Sequence, residues 1–570
     1  MTERIRRDWD VEALEVAAGW PGADRSTLVT LATRLAAGGA DAEGYGFFQG
    51  LADASQGEPL RLALAGFFQV RLGDEVAAGL GKLNAAAAAD LGLPQYFRGL
   101  ALAGLPPDRG RAEQAVADLE LVLAVRDQFP SWLMRAVHCG LAAVYAVLGK
   151  DNLAVEASRR SGLGNLPPGS QLLYSSYWVT AEGGFRFTSP TIWQPEPGVQ
   201  VAQGYDFGDF AFITTNKGVV AIDAGTTRER VQAALGDLGI ATTAISHLIL
   251  THAHWDHVGG AAAVLGPGTQ VITQAGFPAE LDRYRARDIP PFRYFSGSGT
   301  RTGQDIVPDR LISEPTGLTI GGTELMLYPT PGGETHDALM VYLPATGLLF
   351  TGDVMMPYLG APFFAEGSPA GLLETLQVIG QLQPQALIQG HTTLTELFTI
   401  DAVPGLHAAL TDLHRHVLDG IRHGRALPAI LDTSRLPEVL RNHPKAVAPY
   451  LAIHGNFAAR LYHQHAGYWQ PDGQGLQVFT AAERAAALDL LAGGSEQQFV
   501  TTAETLLSQG DHALALDIID PGLLRYPAST RLTDLRQTAL YRLIEQHQQN
   551  DPFKFLIYAE LAGTEIGPLQ

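Results

Sequence analysis

Three histidines and an aspartate crowd into the segment THAHWDHVGG, as His252, His254, Asp256 and His257, directly after the apolar run SHLIL. Histidine supplies 17 of the 570 residues, so three at set positions arise by chance at roughly 3 in 100,000 starts, and a solvated His-rich turn explains them poorly. In extended chain, residues two apart share a face. His252 and His254 can therefore address one ion while a turn brings Asp256 and His257 onto a neighbouring one. The chemistry this points to is a pair of divalent metals a few ångströms apart, held by imidazole and carboxylate.

The His-x-His-x-Asp-His spacing resembles the metallo-β-lactamase superfamily, whose motif binds two metals, usually zinc, at the edge of an αββα sandwich. Its other motifs follow in order. Asp223 in VVAIDAG corresponds to a structural aspartate behind the ligands. Asp353 in LLFTGDV corresponds to the carboxylate that bridges both metals, and His391 in LIQGHTTL to the last histidine of the second metal. At PTPGGETHDALMVYLP the chain departs from the common pattern, because Glu334 stands where the superfamily has a ligating histidine, with His336 as the rival ligand. The alkyl sulfatase branch also has a glutamate soon after Pro-Gly. The resemblance thus implies His252, His254 and Glu334 on the first metal, Asp256, His257 and His391 on the second, and Asp353 between them. Asp256 and Asp353 are the catalytic candidates, beside a bridging hydroxide that attacks an ester. Two divalent ions against three carboxylates and a hydroxide leave such a site about neutral, so it polarises substrate less than a site with histidine at 334. Imidazole-rich ligation favours zinc over manganese or iron.

The alkyl sulfatase resemblance runs from about 190 to 570. GYDFGDFAFITTNKGVVAID looks like that branch's opening strands and AELDRYRARDIPPFRYFSGSGT like its Arg- and Tyr-bearing insertion. HGNFAARLYHQHAGYWQPDG and the helices after it look like its dimerisation domain. It implies hydrolysis of an alkyl sulfate and a homodimer paired through C-terminal helices. Two departures count against a simple transfer. Asp353 replaces a glutamate, and VMMPYLGAPFFAEGSPAGLLETLQVIGQLQPQALIQG holds no Arg or Lys. A sulfate would then need Arg283, Arg285, Arg287, Arg293 or Arg301 from the insertion. Without such a clamp, a thioester or lactone hydrolase similar to glyoxalase II or the lactonases is the alternative. From another class comes a helical scaffold with a structural metal, against which an open ligand set argues. MMPYLGAPFF either lines a pocket for an apolar tail or is core under a loop.

These side chains need a frame. From about 185 to 400, short β-branched runs (FAFITT, GVVAIDAG, SHLILTHAH, GTQVITQ, TELMLYP, DALMVYLP, GLLFTGD) alternate with the helical stretches RERVQAALGDLG and PAGLLETLQVIGQL, which predicts a layered α/β domain. Residues 1–175 carry Ala and Leu at helical spacing. AGFFQVRLGDEVAAGL and GLAAVYAVLGKDNLAVEA there resemble tetratricopeptide hairpins, with a generic array of antiparallel helices as the alternative, and covering the active-site mouth, extending a dimer and binding a protein partner are the roles open to them. Residues 401–570 read as helical again, with a turn at Gly510. The expected fold is α/β, a metallo-β-lactamase sandwich flanked by all-α regions. His414, His416, His463 and His465 lie in polar helical stretches and read as surface or interface residues.

Apolar residues at 46% and charged ones at 17% are ordinary for a folded chain, and the net charge of −20 disfavours nucleic acid and anionic membranes as partners. Cys139 is the single cysteine, so no internal disulfide forms. The N-terminal segment turns acidic without an apolar export signal, and no apolar run approaches the length of a membrane span. A soluble cytoplasmic protein acting on a small-molecule ester is the expectation.

Overall fold

A computed structural model describes residues 3–73, 75–163, 172–285, 293–301, 306–357, 367–433, 436–466, 478–549 and 551–567. Strands β1 (Trp178–Thr180) and β2 (Gly184–Arg186) form a small hairpin. A seven-stranded sheet follows in the order β3 (Thr191–Glu196), β4 (Val199–Gln203), β5 (Phe210–Thr215), β6 (Gly218–Ile222), β7 (Ile245–Ile249), β8 (Gln270–Gln274) and β9 (Arg310–Ile312). A five-stranded sheet has the order β10 (Thr316–Ile320), β11 (Thr323–Pro329), β12 (Leu339–Leu343), β13 (Leu348–Gly352) and β14 (Ala386–Gln389). Pairing is antiparallel from β3 to β6 and from β10 to β13, and parallel from β6 to β9 and between β13 and β14.

These strands are apolar on both faces because both faces are covered. Val220, Ile222, Ile249, Val341, Phe350 and Ile388 meet in the core between the sheets. Their neighbours Val219, Ala221 and Leu248 share a second core with Val231 and Leu235 of helix Arg228–Leu238. On the other outer face, Met340, Leu349 and Leu387 join Leu372 and Leu376 of helix Pro369–Leu382. The period-2 alternation therefore builds an αββα sandwich.

The helices before the sandwich and those of 403–465 after it share one core. Helices Val403–Arg422 and Val447–His465 pack together, and the second also meets helices Glu3–Ala18 and Arg25–Ala37. Met355, the first residue of MMPYLGAPFF, belongs to this core together with the preceding Val354, so it is packing, while Tyr358 to Phe364 lie outside the described residues. Close approach needs small residues. A Cβ on Gly66 of helix Pro59–Leu72 would sit 2.7 Å from the Gly79 carbonyl of helix Val76–Ala89. Arg135, buried on helix Met134–Val147, donates to the carbonyls of Ser161 (2.9 Å), Ser175 (3.2 Å) and Tyr177 (2.6 Å) and stacks on Trp178 at 4.1 Å. It ties the N-terminal helices to β1. Among the described residues no helix is long and apolar enough to cross a membrane.

The C-terminal end returns to the sandwich. Ile566 and Val179 exchange backbone hydrogen bonds of 2.7 and 2.6 Å. Phe555 and Leu556 of helix Pro552–Ala562 bury against Tyr177, Phe185, Phe187 and Phe207.

A second tie runs from the N-terminal helices to the site loop. Ser131 N–H donates to Glu396 at 2.7 Å, on the helix Thr392–Leu397 that follows His391. Burial pushes the Glu396 carboxyl up to about 7, with Asp209 adding to the rise. A carboxyl raised this way holds its proton more tightly folded than unfolded, so stability falls as pH climbs from the ordinary glutamate range to about 7 and stays lower above. Glu396→Gln keeps an acceptor for Ser131 and removes that loss. It is expected to stabilise the chain by about 2 kcal/mol at pH 8, allowing for partial exposure, and by little at pH 4. Urea midpoints at the two pH values check this; equal midpoint shifts at both would contradict it.

Candidate metal centre

The motif residues sit just past the ends of strands. Asp223 follows β6 with φ +59, a left-handed bend that aspartate tolerates better than most residues. The bend lays its carboxylate under the loop after β7, where it accepts from Thr251 N–H (2.8 Å), the Thr251 hydroxyl (2.7 Å) and His257 Nδ1 (2.9 Å). Thr251 Oγ1 in turn lies 3.0 Å from His252 Nδ1. His254 is extended and precedes the four-residue helix Trp255–Val258, which swings Asp256 and His257 onward.

Two groups result, His252, His254 and Glu334, and Asp256, His257, Asp353 and His391. Within each, one donor atom per residue lies within 4.8 Å of the others. All seven residues are buried, none more than 8% exposed. Glu334 Oε2 is 3.3 Å from both His252 Nε2 and His254 Nδ1. Asp353 Oδ2 is 2.9 Å from His391 Nε2 and 3.5 Å from His257 Nε2, and Asp256 Oδ2 is 3.4 Å from each of those nitrogens. His336 is exposed, with only its carbonyl engaged, by Gln274. The inward position belongs to Glu334.

The donor set fits divalent cations. His252 Nε2, His257 Nε2, Glu334 Oε2 and Asp353 Oδ1 are buried with no hydrogen-bond partner among the described residues, a costly state for polar atoms unless an ion takes them up. The rear nitrogens are tied down. His257 Nδ1 faces Asp223, and His391 Nδ1 lies 2.8 Å from the Phe207 carbonyl, which presents each Nε2 to the centre. Glycine is required at 390, since a Cβ there would run into Asp353 Oδ1 and stand 2.5 Å from His257 Cε1, filling the space the donors face.

Burial opposes charge throughout the second group, yet the partners win. His257 and His391 hold Asp256 down at about 2 and Asp353 well below the usual range. The same carboxylates lift His391 to about 9 and His257 well above its ordinary value. A metal at these nitrogens would compete with protons for them. Behind the group, Asp209 accepts from the Thr392 hydroxyl at 2.8 Å while its N–H donates to the Gly390 carbonyl at 2.7 Å. Burial pushes its carboxyl to about 7. Phe187 and Phe207 each lie 5.0 Å from the His391 ring, and Phe207 continues to Trp255 at 5.2 Å and Phe295 at 5.5 Å. They keep water from the rear of the group.

Of the arginines considered for an anion, Arg283 is exposed and paired with Glu280 at 3.0 Å. Arg301 is half-buried near Asp206. The side chains of Arg285 and Arg293, and Arg287 altogether, lie outside the described residues. No residue pattern signalled the roles of Asp209 and the Phe207 carbonyl. Tyr284 was visible only as part of the insertion, yet its hydroxyl lies 2.8 Å from His254 Nε2.

Residues 204–391 match the metallo-beta-lactamase superfamily, and this stretch contains all seven residues of the two groups. The chain carries a metallo-β-lactamase domain with helical regions on both sides. It is 23% identical over 400 residues to the (R)-specific secondary-alkylsulfatase of a Pseudomonas species, covering 62% of this chain and 59% of that protein. It is 28% identical over 165 residues to the hydroxyacylglutathione hydrolase of Rhodobacter capsulatus, covering 28% of this chain and 54% of that one. The chain thus spans little more than half the length of these curated relatives. Among solved structures, the stereoselective inverting sec-alkylsulfatase from Pseudomonas sp. shares its fold with a TM-score of 0.53 at 20% identity over 65% of each chain.

Proposed function

We propose that the chain is a dinuclear zinc-dependent hydrolase acting on alkyl sulfate esters. The observation that supports it most is the pair of buried donor groups, brought together where the His252 and His257 rings lie 4.2 Å apart, with His252 Nε2, His257 Nε2, Glu334 Oε2 and Asp353 Oδ1 left without hydrogen-bond partners among the described residues. His252, His254 and Glu334 would hold one ion, Asp256, His257 and His391 the other, with Asp353 shared. When bound, the ions would supply Lewis acidity, polarising the ester and lowering the pKa of water toward neutrality. The chain's own residues do the positioning. Asp223 and Thr251 orient His252 and His257, the Phe207 carbonyl orients His391, and the aromatic rings behind exclude solvent.

Sulfate esters are favoured because the likeness to the alkylsulfatase extends over 400 residues, whereas that to the hydroxyacylglutathione hydrolase covers 165. A thioester or lactone is the second reading, favoured by the lack of Arg and Lys from Val354 to Gly390. We further place pairing of two copies in the C-terminal helices, where Leu490 and Leu491 are 83% and 85% exposed, and a protein partner on the N-terminal helices.

Zinc-loaded protein given a medium-chain alkyl sulfate and an acyl thioester side by side tests the choice. Metal-dependent sulfate release, lost in His252→Ala, is the expected result. Thioester cleavage without sulfate release would put the second reading first.

A further inference from the structure

Three of the four imidazoles in the centre lean on the strand framework. His252 leans on Thr251, His257 on Asp223, and His391 on the Phe207 carbonyl, so their rear nitrogens are fixed by residues of the loops at the strand ends. His254 differs. Its Nδ1 is the atom that faces Glu334, and its rear Nε2 lies 2.8 Å from the hydroxyl of Tyr284, whose ring meets the imidazole edge-on at 4.8 Å and 73°. Tyr284 belongs to helix Phe277–Arg285, outside both sheets, and is half-buried.

We infer that Tyr284 is a positioning residue for the three-donor group and couples the seating of helix Phe277–Arg285 to occupancy of that group by a metal. This rests on the proposed function only in taking His254 as a ligand. A neutral imidazole has one proton. With the phenol oxygen accepting from Nε2–H, that proton is held at the rear and Nδ1 presents its lone pair to the centre. Without the oxygen, this contact no longer selects the tautomer or the ring angle. Loss of such an outer partner costs about 10- to 100-fold in metal affinity. The four-donor group is insulated, since the rear atoms of its histidines meet Asp223 and the Phe207 carbonyl. Linkage makes the effect reciprocal. If Tyr284 strengthens metal binding by a given factor, the metal strengthens the Tyr284 contact by the same factor, and the helix must become harder to open when the group is filled.

The test is zinc titration of the full chain against a competing chromophoric chelator, with hydrogen exchange of residues 277–285 followed with and without zinc. The parent, Tyr284→Phe and Asp282→Asn, an exposed change on the same helix, are compared, and urea midpoints verify that each variant is folded. In the parent, two zinc ions bind and protection of 277–285 rises on loading. In Tyr284→Phe, one ion binds with parental affinity, the other about 10- to 100-fold more weakly, and the rise in protection is lost. Asp282→Asn behaves as the parent. Two ions bound with parental affinity by folded Tyr284→Phe, or a parent helix indifferent to zinc, would overturn the inference alone. A parent that binds no zinc would overturn it together with the proposed function.

Discussion

Replacing Asp353 by alanine is expected to cut ester hydrolysis by about 1,000-fold or more. The residue directly follows β13 with its carboxylate between the two histidines of the second group, 2.9 Å from His391 Nε2, while its Oδ1 has no partner among the described residues. It is the one carboxylate proposed to touch both ions. Removing it subtracts a charge and a shared donor at once, and several kcal/mol of transition-state stabilisation correspond to three or more decades in rate. Asp353→Asn, which keeps the volume and loses the charge, should fall nearly as far. kcat/KM for the best ester, measured beside the zinc content of each variant, checks this. Activity within tenfold of the parent in either variant would remove Asp353 from the centre.

The second large effect concerns stability. Arg135→Met is expected to destabilise the chain by about 3–5 kcal/mol, because it strands the carbonyls of Ser161, Ser175 and Tyr177 and forfeits the stack on Trp178. Burial pulls the guanidinium down to about 9, so it stays charged at neutral pH and the three carbonyls are its compensation. Lysine cannot reach three divergent acceptors with a planar fork, and Arg135→Lys should lose most of the same stability. Urea denaturation gives the values directly; a loss below about 1 kcal/mol for Arg135→Met would mean that the helices and β1 are held elsewhere.

Most of the sandwich was legible because strands covered on both faces must be apolar on both faces, and runs such as FAFITT and GVVAI cannot serve otherwise. The His-x-His-x-Asp-His spacing was legible for a related reason. Alternation along extended chain and one helical turn are fixed geometries, so residue types at those spacings carry position. The choice between Glu334 and His336 was not decidable from spacing, since a small backbone shift exchanges them. The structure turns Glu334 inward and leaves His336 exposed. What supports the histidines was hidden for a different reason. The Phe207 carbonyl is a backbone atom with no sequence signature, and Tyr284 meets His254 across 30 residues through tertiary packing alone. The shared core of helices 3–161 and 403–465 was equally invisible, because helical periodicity tells which face is buried but not against what.

The proposed hydrolysis requires two ions acting in one centre. The most direct measurement adds zinc in steps to the metal-free chain while following hydrolysis of the preferred ester. Activity is expected to climb to a plateau at two zinc ions per chain, which His252→Ala never reaches. Full activity at one ion per chain, or activity indifferent to zinc, would contradict it.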